Sequence, residues 1–209
     1  MIRILIADDH AIVRTGMKQI LLEQYPSADV AEAGDAETLV AKVVEGGWDI
    51  VITDMNMPGR SGLDALHQIK QIDPALPVLI MSMYPEDQYA LRVIKAGASG
   101  YLGKETIHDN LVNAIETVRK GKRFITPSIA EKLADAIDTA KKSEPHELLS
   151  DREFDVFKLL ANGKSVTDIA TQLSLSATTV STYRSRILEK MQMKSNAELA
   201  RYAVENKLI

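Results

Sequence analysis

The sequence predicts an α/β domain with a doubly wound, five-stranded parallel sheet, followed by a small all-α domain of four helices. Three observations carry this. Short apolar runs alternate with helix-length segments five times over residues 1–121. A stretch without apolar residues, 141–147, follows one further helical pattern. From Leu148 onward no strand pattern recurs. A chain of 209 residues suits two domains of ~100–150 each.

The runs "IRILIA" (2–7), "DVAEA" (29–33), "DIVITD" (49–54), "PVLIMS" (77–82) and "SGYLGK" (99–104) read as strands, the second weakly. Between and after them, apolar residues three and four apart mark helices. They are Ile12, Met17, Ile20 and Leu21; Leu39 and Val43; Leu63, Leu66 and Ile69; Leu91 and Ile94; Leu111, Ile115 and Val118. Strand then helix, repeated, implies parallel strands covered on both faces. A Pro58-Gly59 turn follows the third strand. "TPSIAEKLADAIDTA" carries helical spacing at Ile129, Leu133 and Ile137, with Pro127 near the start, where proline is tolerated. "KKSEPHE" (141–147) reads as a linker. Ser150 and Glu153 form a capping box for a helix through about Leu160, stopped by Asn162-Gly163. Helices are then expected near 166–173, 177–191 and 196–205.

Composition excludes several functions. The chain is 45% hydrophobic with no cysteine, so disulfides, thiolate catalysis and Cys-ligated metals are ruled out. No apolar run approaches the ~18 residues that span a bilayer, and no signal-peptide pattern opens the chain, so the expected location is cytoplasmic, without membrane association. Net charge is −4, divided as −5 over 1–145 and +1 over 146–209, where nine Lys/Arg face eight Asp/Glu. That asymmetry permits nucleic-acid binding by the second domain.

The chemistry lies at the strand ends. Strand one ends on Asp8-Asp9, strand three on Asp54, strand four on Ser82 and strand five on Lys104. In a parallel sheet these ends share one ligand crevice. A single Asp at a strand end commonly just begins a turn, but five polar groups on one edge make a site. Three carboxylates repel unless a cation sits among them, and oxygen ligands favour Mg²⁺. Lys104 supplies a point charge and Ser82 a hydroxyl for a phosphate. The chemistry is phosphoryl transfer onto a carboxylate.

"ADDH" (7–10), "TDMNMPGRSG" (53–62), "MSMY" (81–84) and "YLGK" (101–104) resemble the receiver domain of two-component response regulators. The resemblance implies a flavodoxin-like (CheY-like) fold over 1–121. It implies that Asp54 accepts a phosphoryl group from a phosphohistidine of a sensor histidine kinase. It places Mg²⁺ on Asp8, Asp9, Asp54 and the backbone carbonyl of Asn56, and the phosphate on Ser82 and Lys104. It makes Tyr101 the aromatic that changes rotamer with Ser82, and Asn56 and Tyr84 tuners of dephosphorylation. Receivers often have Pro after this Lys; Glu105 stands here, which opens the question whether the 104–105 peptide is cis.

In "SLSATTVSTYRSRILEKMQMKS" (174–195), Val180, Tyr183, Ile187, Leu188 and Met191 share one helical face. Thr178, Ser181, Thr182, Ser185 and Glu189 share the other, with Arg184, Arg186 and Lys190 at the flanks. This pattern suits a helix in a DNA major groove. With "LSDREF" before it and "ILEKM" at its close, residues 148–209 resemble the LuxR-type helix-turn-helix domain. The resemblance starts the recognition helix at Thr179-Val180, turns Ser181, Thr182 and Ser185 toward bases, and sets Thr178, Arg184, Arg186 and Lys190 at phosphates. Both halves together resemble the NarL/FixJ class of response regulators, with 122–147 as connecting helix and linker. The class implies promoter DNA as partner, RNA polymerase as a further one, and a phosphorylation-promoted homodimer, through helices near 11–23 and 108–120 or through a surface nearer the fourth helix. It implies no enzyme beyond single-turnover acceptance and slow self-dephosphorylation. A haloacid-dehalogenase-type enzyme would want a second Asp where Asn56 stands, and an FMN phosphate would be repelled by Asp8-Asp9. A receiver that ignores phosphate would usually have lost one of Asp9, Asp54 or Lys104.

Overall fold

The computed structural model describes residues 1–57, 60–138 and 144–209 of the protein. The expected Pro58-Gly59 turn and residues 141–143 of the expected linker lie outside them. The chain divides into two compact units, 1–136 and 137–209.

The first unit holds five parallel strands, β1 (Arg3–Ala7), β2 (Asp29–Ala33), β3 (Ile50–Asp54), β4 (Val78–Ser82) and β5 (Gly100–Gly103), in the order β2-β1-β3-β4-β5. Helices α1 (Ala11–Gln24), α2 (Ala36–Glu45), α3 (Gly62–Ile72), α4 (Glu86–Lys95) and α5 (Ile107–Arg119) follow the strands in turn. Every residue of β3 and β4 is buried, which explains their uninterrupted apolar runs: helices cover both faces. On one face Ile4, Ile6, Ile50, Ile52, Leu79 and Met81 meet Met17 and Leu21 of α1 and Leu111, Ile115 and Val118 of α5. β2 reads weakly because it is an edge strand, paired only with β1, and its Glu32 faces Arg14 and Lys18. β5 ends one residue short of expectation. Its ladder closes at Ser82↔Gly103, and Lys104–Thr106 turn as a 3₁₀ segment into α5. No cis peptide occurs among the described residues, so the 104–105 bond is trans, as the ~3 kcal/mol cost of a non-proline cis bond favours.

Gly62 is set by a close approach. A Cβ there would sit 1.9 Å from the Asp54 carbonyl oxygen, and the Gly62 N–H donates to the Met55 carbonyl at 2.9 Å. Gly62→Ala must displace the backbone that carries Asp54. It is expected to destabilise the unit by about 3 kcal/mol, measurable by urea unfolding followed through Trp48.

After α5 the chain returns to the sheet. The Phe124 N–H donates to the Ser99 carbonyl at 2.8 Å, bridging to the β5 edge at Gly100. Thr126 caps α6 (Pro127–Asp138), accepting from the Ile129 N–H at 3.3 Å, and its hydroxyl also bonds Glu86 at the start of α4.

The second unit packs α7 (Asp151–Ala161), α8 (Val166–Gln172), α9 (Ala177–Lys190) and α10 (Asn196–Glu205) around Phe154, Phe157, Ile169, Val180, Ile187 and Leu199. Four serines, Ser150, Ser165, Ser176 and Ser195, cap the four helices, each accepting from the backbone N–H three residues on. Each such cap contributes about 1 kcal/mol. The linker reading needs correction at its end. Pro145–Leu148 form a 3₁₀ turn, and His146 Nδ1 lies 2.8 Å from the Tyr202 hydroxyl of α10. That hydroxyl in turn donates to Glu144 at 3.3 Å. Burial and the Glu144 charge push the Tyr202 phenol up to about 12, so it remains a donor.

Candidate acidic site and nucleic-acid interface

β1, β3, β4 and β5 are consecutive neighbours in the sheet, so their C-terminal ends open on one crevice. Asp8, Asp54, Ser82 and Tyr101 are all buried there. Lys104 reaches back across it. Its ammonium stands 2.6 Å from Asp8 Oδ2 and 3.0 Å from Asp54 Oδ1. The cation that lets these carboxylates coexist is therefore, in this state, the lysine itself. Burial works to lower the Lys104 pKa, but its hydrogen bond to Asp8 and the charge of Asp54 outweigh that and raise it. The ammonium keeps its charge at neutral pH.

Asp54 is pushed up to about 6, chiefly by burial and secondarily by Asp8, against Lys104 and a backbone N–H bond from Asn56. The sign follows from the raised value. The folded state holds this proton more tightly than the unfolded chain does, so the group favours folding most below about pH 4. That contribution is lost as pH rises toward 6. Above pH 6 the ionised carboxylate costs up to ~3 kcal/mol when no added cation is present. Asp54→Asn is expected to raise the thermal midpoint at pH 7.5, with the gain fading toward pH 4. A calorimetric pH series measures it.

Asp9 supplies the test of fit for a cation. Its Oδ1 is buried with no hydrogen-bond partner. His10 Nδ1 approaches to 2.8 Å, close enough for an ionic contact but outside hydrogen-bonding geometry. The same ring nitrogen lies 3.2 Å from Asp8 Oδ1. Asp8, Asp9 and His10 offer ligand atoms within 4.8 Å of one another. Among the described residues that cluster does not include Asp54, which reaches Asp8 through Lys104. An orphaned carboxylate oxygen beside a second carboxylate is a donor set that fits a hard divalent cation.

Ser82 and Tyr101 are joined by a residue that sequence reasoning did not place between them. The Ser82 hydroxyl accepts from the Tyr84 N–H at 3.0 Å, and the Tyr101 hydroxyl donates to the Tyr84 carbonyl at 2.7 Å. The Tyr84 ring stacks on Tyr89, with centroids 4.8 Å apart. His10 and Arg14 were also missed. The Arg14 guanidinium donates to the Asp8 carbonyl at 2.7 Å. The "ADDH" run holds His10 in plain view, but nothing in spacing places Arg14 at a backbone oxygen.

In the second unit, α8 and α9 are joined by a tight turn in which Ser174 takes φ +53°. Thr178, Ser181, Thr182, Ser185 and Arg186 of α9 are exposed, opposite buried Val180, Ile187 and Met191. The Thr182 and Ser185 hydroxyls donate to carbonyls one turn back, Thr178 at 3.0 Å and Ser181 at 3.1 Å. Thr179 is half-buried and belongs to the Ser176 cap. Two of the basic residues expected at phosphates are tied within their own unit. Arg184 Nε donates to Asn196 at 2.7 Å, and Lys190 pairs at 2.6 Å with Glu153, whose side chain is 4% exposed.

The comparisons agree with both halves. Residues 4–116 match the family described as the response regulator receiver domain, and residues 147–203 that of bacterial regulatory proteins, luxR family. The chain is 35% identical over 215 residues to the oxygen regulatory protein NreC of Staphylococcus epidermidis, covering 99% of each chain. It is 36% identical over 214 residues to NreC of Staphylococcus haemolyticus, again covering 99% of each. Among solved structures it resembles RcsB from Salmonella enterica serovar Typhimurium, bound to promoter rprA in the presence of a phosphomimetic. That match has a TM-score of 0.63 at 27% identity, covering 97% of this chain and 98% of that one. A LuxR-family two-component response regulator from Aurantimonas matches with TM-score 0.58 at 39% identity, over 65% of this chain and 97% of that one. A receiver sheet joined to a helix-turn-helix defines a signal-responsive regulator of transcription that binds DNA. Within that class, the chain belongs to the response regulators with a LuxR-type output domain, of the NarL/FixJ kind.

Proposed function

We propose that Asp54 accepts a phosphoryl group from a phosphohistidine of a sensor histidine kinase, and that the phosphorylated chain dimerises and binds promoter DNA. The observation that carries this is the Lys104 ammonium lying within 3.0 Å of both Asp8 and Asp54, beside the orphaned Asp9 oxygen. An Asp54 carboxylate oxygen forms the new bond to phosphorus as the P–N bond breaks, the electron pair returning to the imidazole. Lys104, charged and half-buried, meets the incoming oxygens, and the Ser82 hydroxyl donates to one of them. Asp8, Asp9, Asp54 and the Asn56 carbonyl would hold Mg²⁺, which supplies neutralising charge to the transferring group when bound. Asn56, where a dehalogenase-type enzyme needs an acid, supports single acceptance with slow self-dephosphorylation.

As Ser82 turns toward the phosphate, its bond to the Tyr84 N–H is given up, and Tyr101 follows the loop through the Tyr84 carbonyl. On the output side Ser181, Thr182 and Ser185 face bases, and Thr178 and Arg186 meet phosphates, with Thr179, Arg184 and Lys190 supporting the helix. Short hydroxyl side chains give modest or water-mediated readout. Promoter-bound copies meet RNA polymerase. Among the described residues no helix is long and apolar enough to cross a membrane, which supports a cytoplasmic regulator. The test is sedimentation with beryllium fluoride and Mg²⁺ at tens of micromolar protein. A monomer-to-dimer shift, lost in Asp54→Asn, is expected; an unchanged sedimentation coefficient overturns the dimer.

A further inference from the structure

We infer that Arg14 is a positioning residue for the divalent cation, acting through the peptide bond between Asp8 and Asp9. This rests on the acidic-site reading above. The peptide unit is planar, so fixing its oxygen fixes the direction in which the chain leaves toward the Asp9 Cα. That oxygen, the Asp8 carbonyl, accepts from Arg14 Nη1 at 2.7 Å. The other side of the same residue is held by the sheet, the Asp8 N–H donating to the Ala33 carbonyl at 3.3 Å.

Arg14 is itself anchored. Its Nε donates to Glu32 Oε2 at 3.3 Å, and Lys18 holds the second Glu32 oxygen at 3.1 Å. The Glu32 pKa is lowered, first by the Lys18 hydrogen bond, so the carboxylate stays ionised and the anchor keeps its charge. The Arg14 side chain is 19% exposed, so it is packed rather than free in solvent. The guanidinium thus ties α1, the edge strand β2 and the Asp8-Asp9 turn into one fixed unit. What that unit aims is the Asp9 carboxylate, whose buried Oδ1 makes no hydrogen bond and meets the exposed His10 ring at 2.8 Å outside hydrogen-bonding geometry. Lys cannot replace Arg14 fully, because a single ammonium reaches the carbonyl or Glu32 but lacks the fork that spans both.

The experiment is direct Mg²⁺ titration by calorimetry on the full chain, for the parent, Arg14→Gln, Arg14→Lys and Glu32→Gln, with thermal midpoints recorded without metal. Outer-shell partners of metal ligands typically control affinity by 10–100-fold. Arg14→Gln is expected to weaken Mg²⁺ binding about tenfold, Arg14→Lys and Glu32→Gln by less. At saturating Mg²⁺, Arg14→Gln should recover the parent rate of phosphorylation by acetyl phosphate, which a general loss of structure would not allow. Parent-like Mg²⁺ affinity in Arg14→Gln overturns the inference while leaving the site reading intact. A parent that binds no Mg²⁺ overturns the site reading itself.

Discussion

Asp54→Asn will abolish phosphorylation by acetyl phosphate, seen as complete loss of the phosphoryl mass increment, while leaving the receiver folded. Of the buried carboxylates in the crevice, Asp8 is held by Lys104 at 2.6 Å and accepts the His10 backbone N–H, whereas Asp54 accepts the Asn56 backbone N–H and has the longer, 3.0 Å contact with the same ammonium. Asp54 is therefore the carboxylate more readily freed to attack. With a pKa of about 6 it is ionised at neutral pH, and acceptance should decline as pH falls below 6 and the carboxyl protonates. Chelating Mg²⁺ should mimic the substitution, since Asp8, Asp9 and Asp54 cannot take a further anion uncompensated. A full mass increment surviving in Asp54→Asn would move the acceptor elsewhere.

Lys190→Ala will unfold the output domain far more readily rather than simply weaken its grip on DNA. Glu153 is 4% exposed and forms the capping box of α7 with Ser150, so removing Lys190 strands a nearly buried carboxylate. Burial works to raise the Glu153 pKa, but the Lys190 and Ser150 bonds outweigh it and lower it, so the pair is charged through neutral pH. Breaking such a pair costs on the order of 2–4 kcal/mol, the lower end reflecting the partly exposed lysine. For a domain this small that is roughly 10–20 °C of thermal midpoint. Arg186→Ala, on the exposed face, should leave the midpoint unchanged and weaken every DNA sequence alike. Its salt slope should fall by about one counterion. Paired melting and binding curves at two salt concentrations separate the two; equal midpoints for both variants would remove the structural role of Lys190.

Periodicity placed the helices of the output domain to within a residue or so, because Val180, Ile187 and Met191 are buried one turn or two apart. The strand ends were equally legible, since a parallel sheet leaves its polar residues only one edge to occupy. What spacing could not supply was partnership. Lys104 reads as a phosphate ligand, yet before any phosphate arrives it must neutralise Asp8 and Asp54. Lys190 reads as one more basic flank, and its tie to Glu153 across 37 residues has no local signature. Arg14 and Tyr84 act through main-chain atoms, which a side-chain pattern cannot report. The capping serines before α8, α9 and α10 were legible in principle, each sitting directly before a helix, with Glu or Asp three residues on in two of the three.

The contact of His146 with Tyr202 bears on how such regulators can be recombined. A chimera joined at residue 148 would leave Tyr202 facing a foreign segment, with its hydroxyl deprived of both His146 and Glu144. The breakpoint that keeps the output module whole lies upstream of Glu144. Residues 144–148 are better regarded as the module's own N-terminal strap than as interchangeable tether.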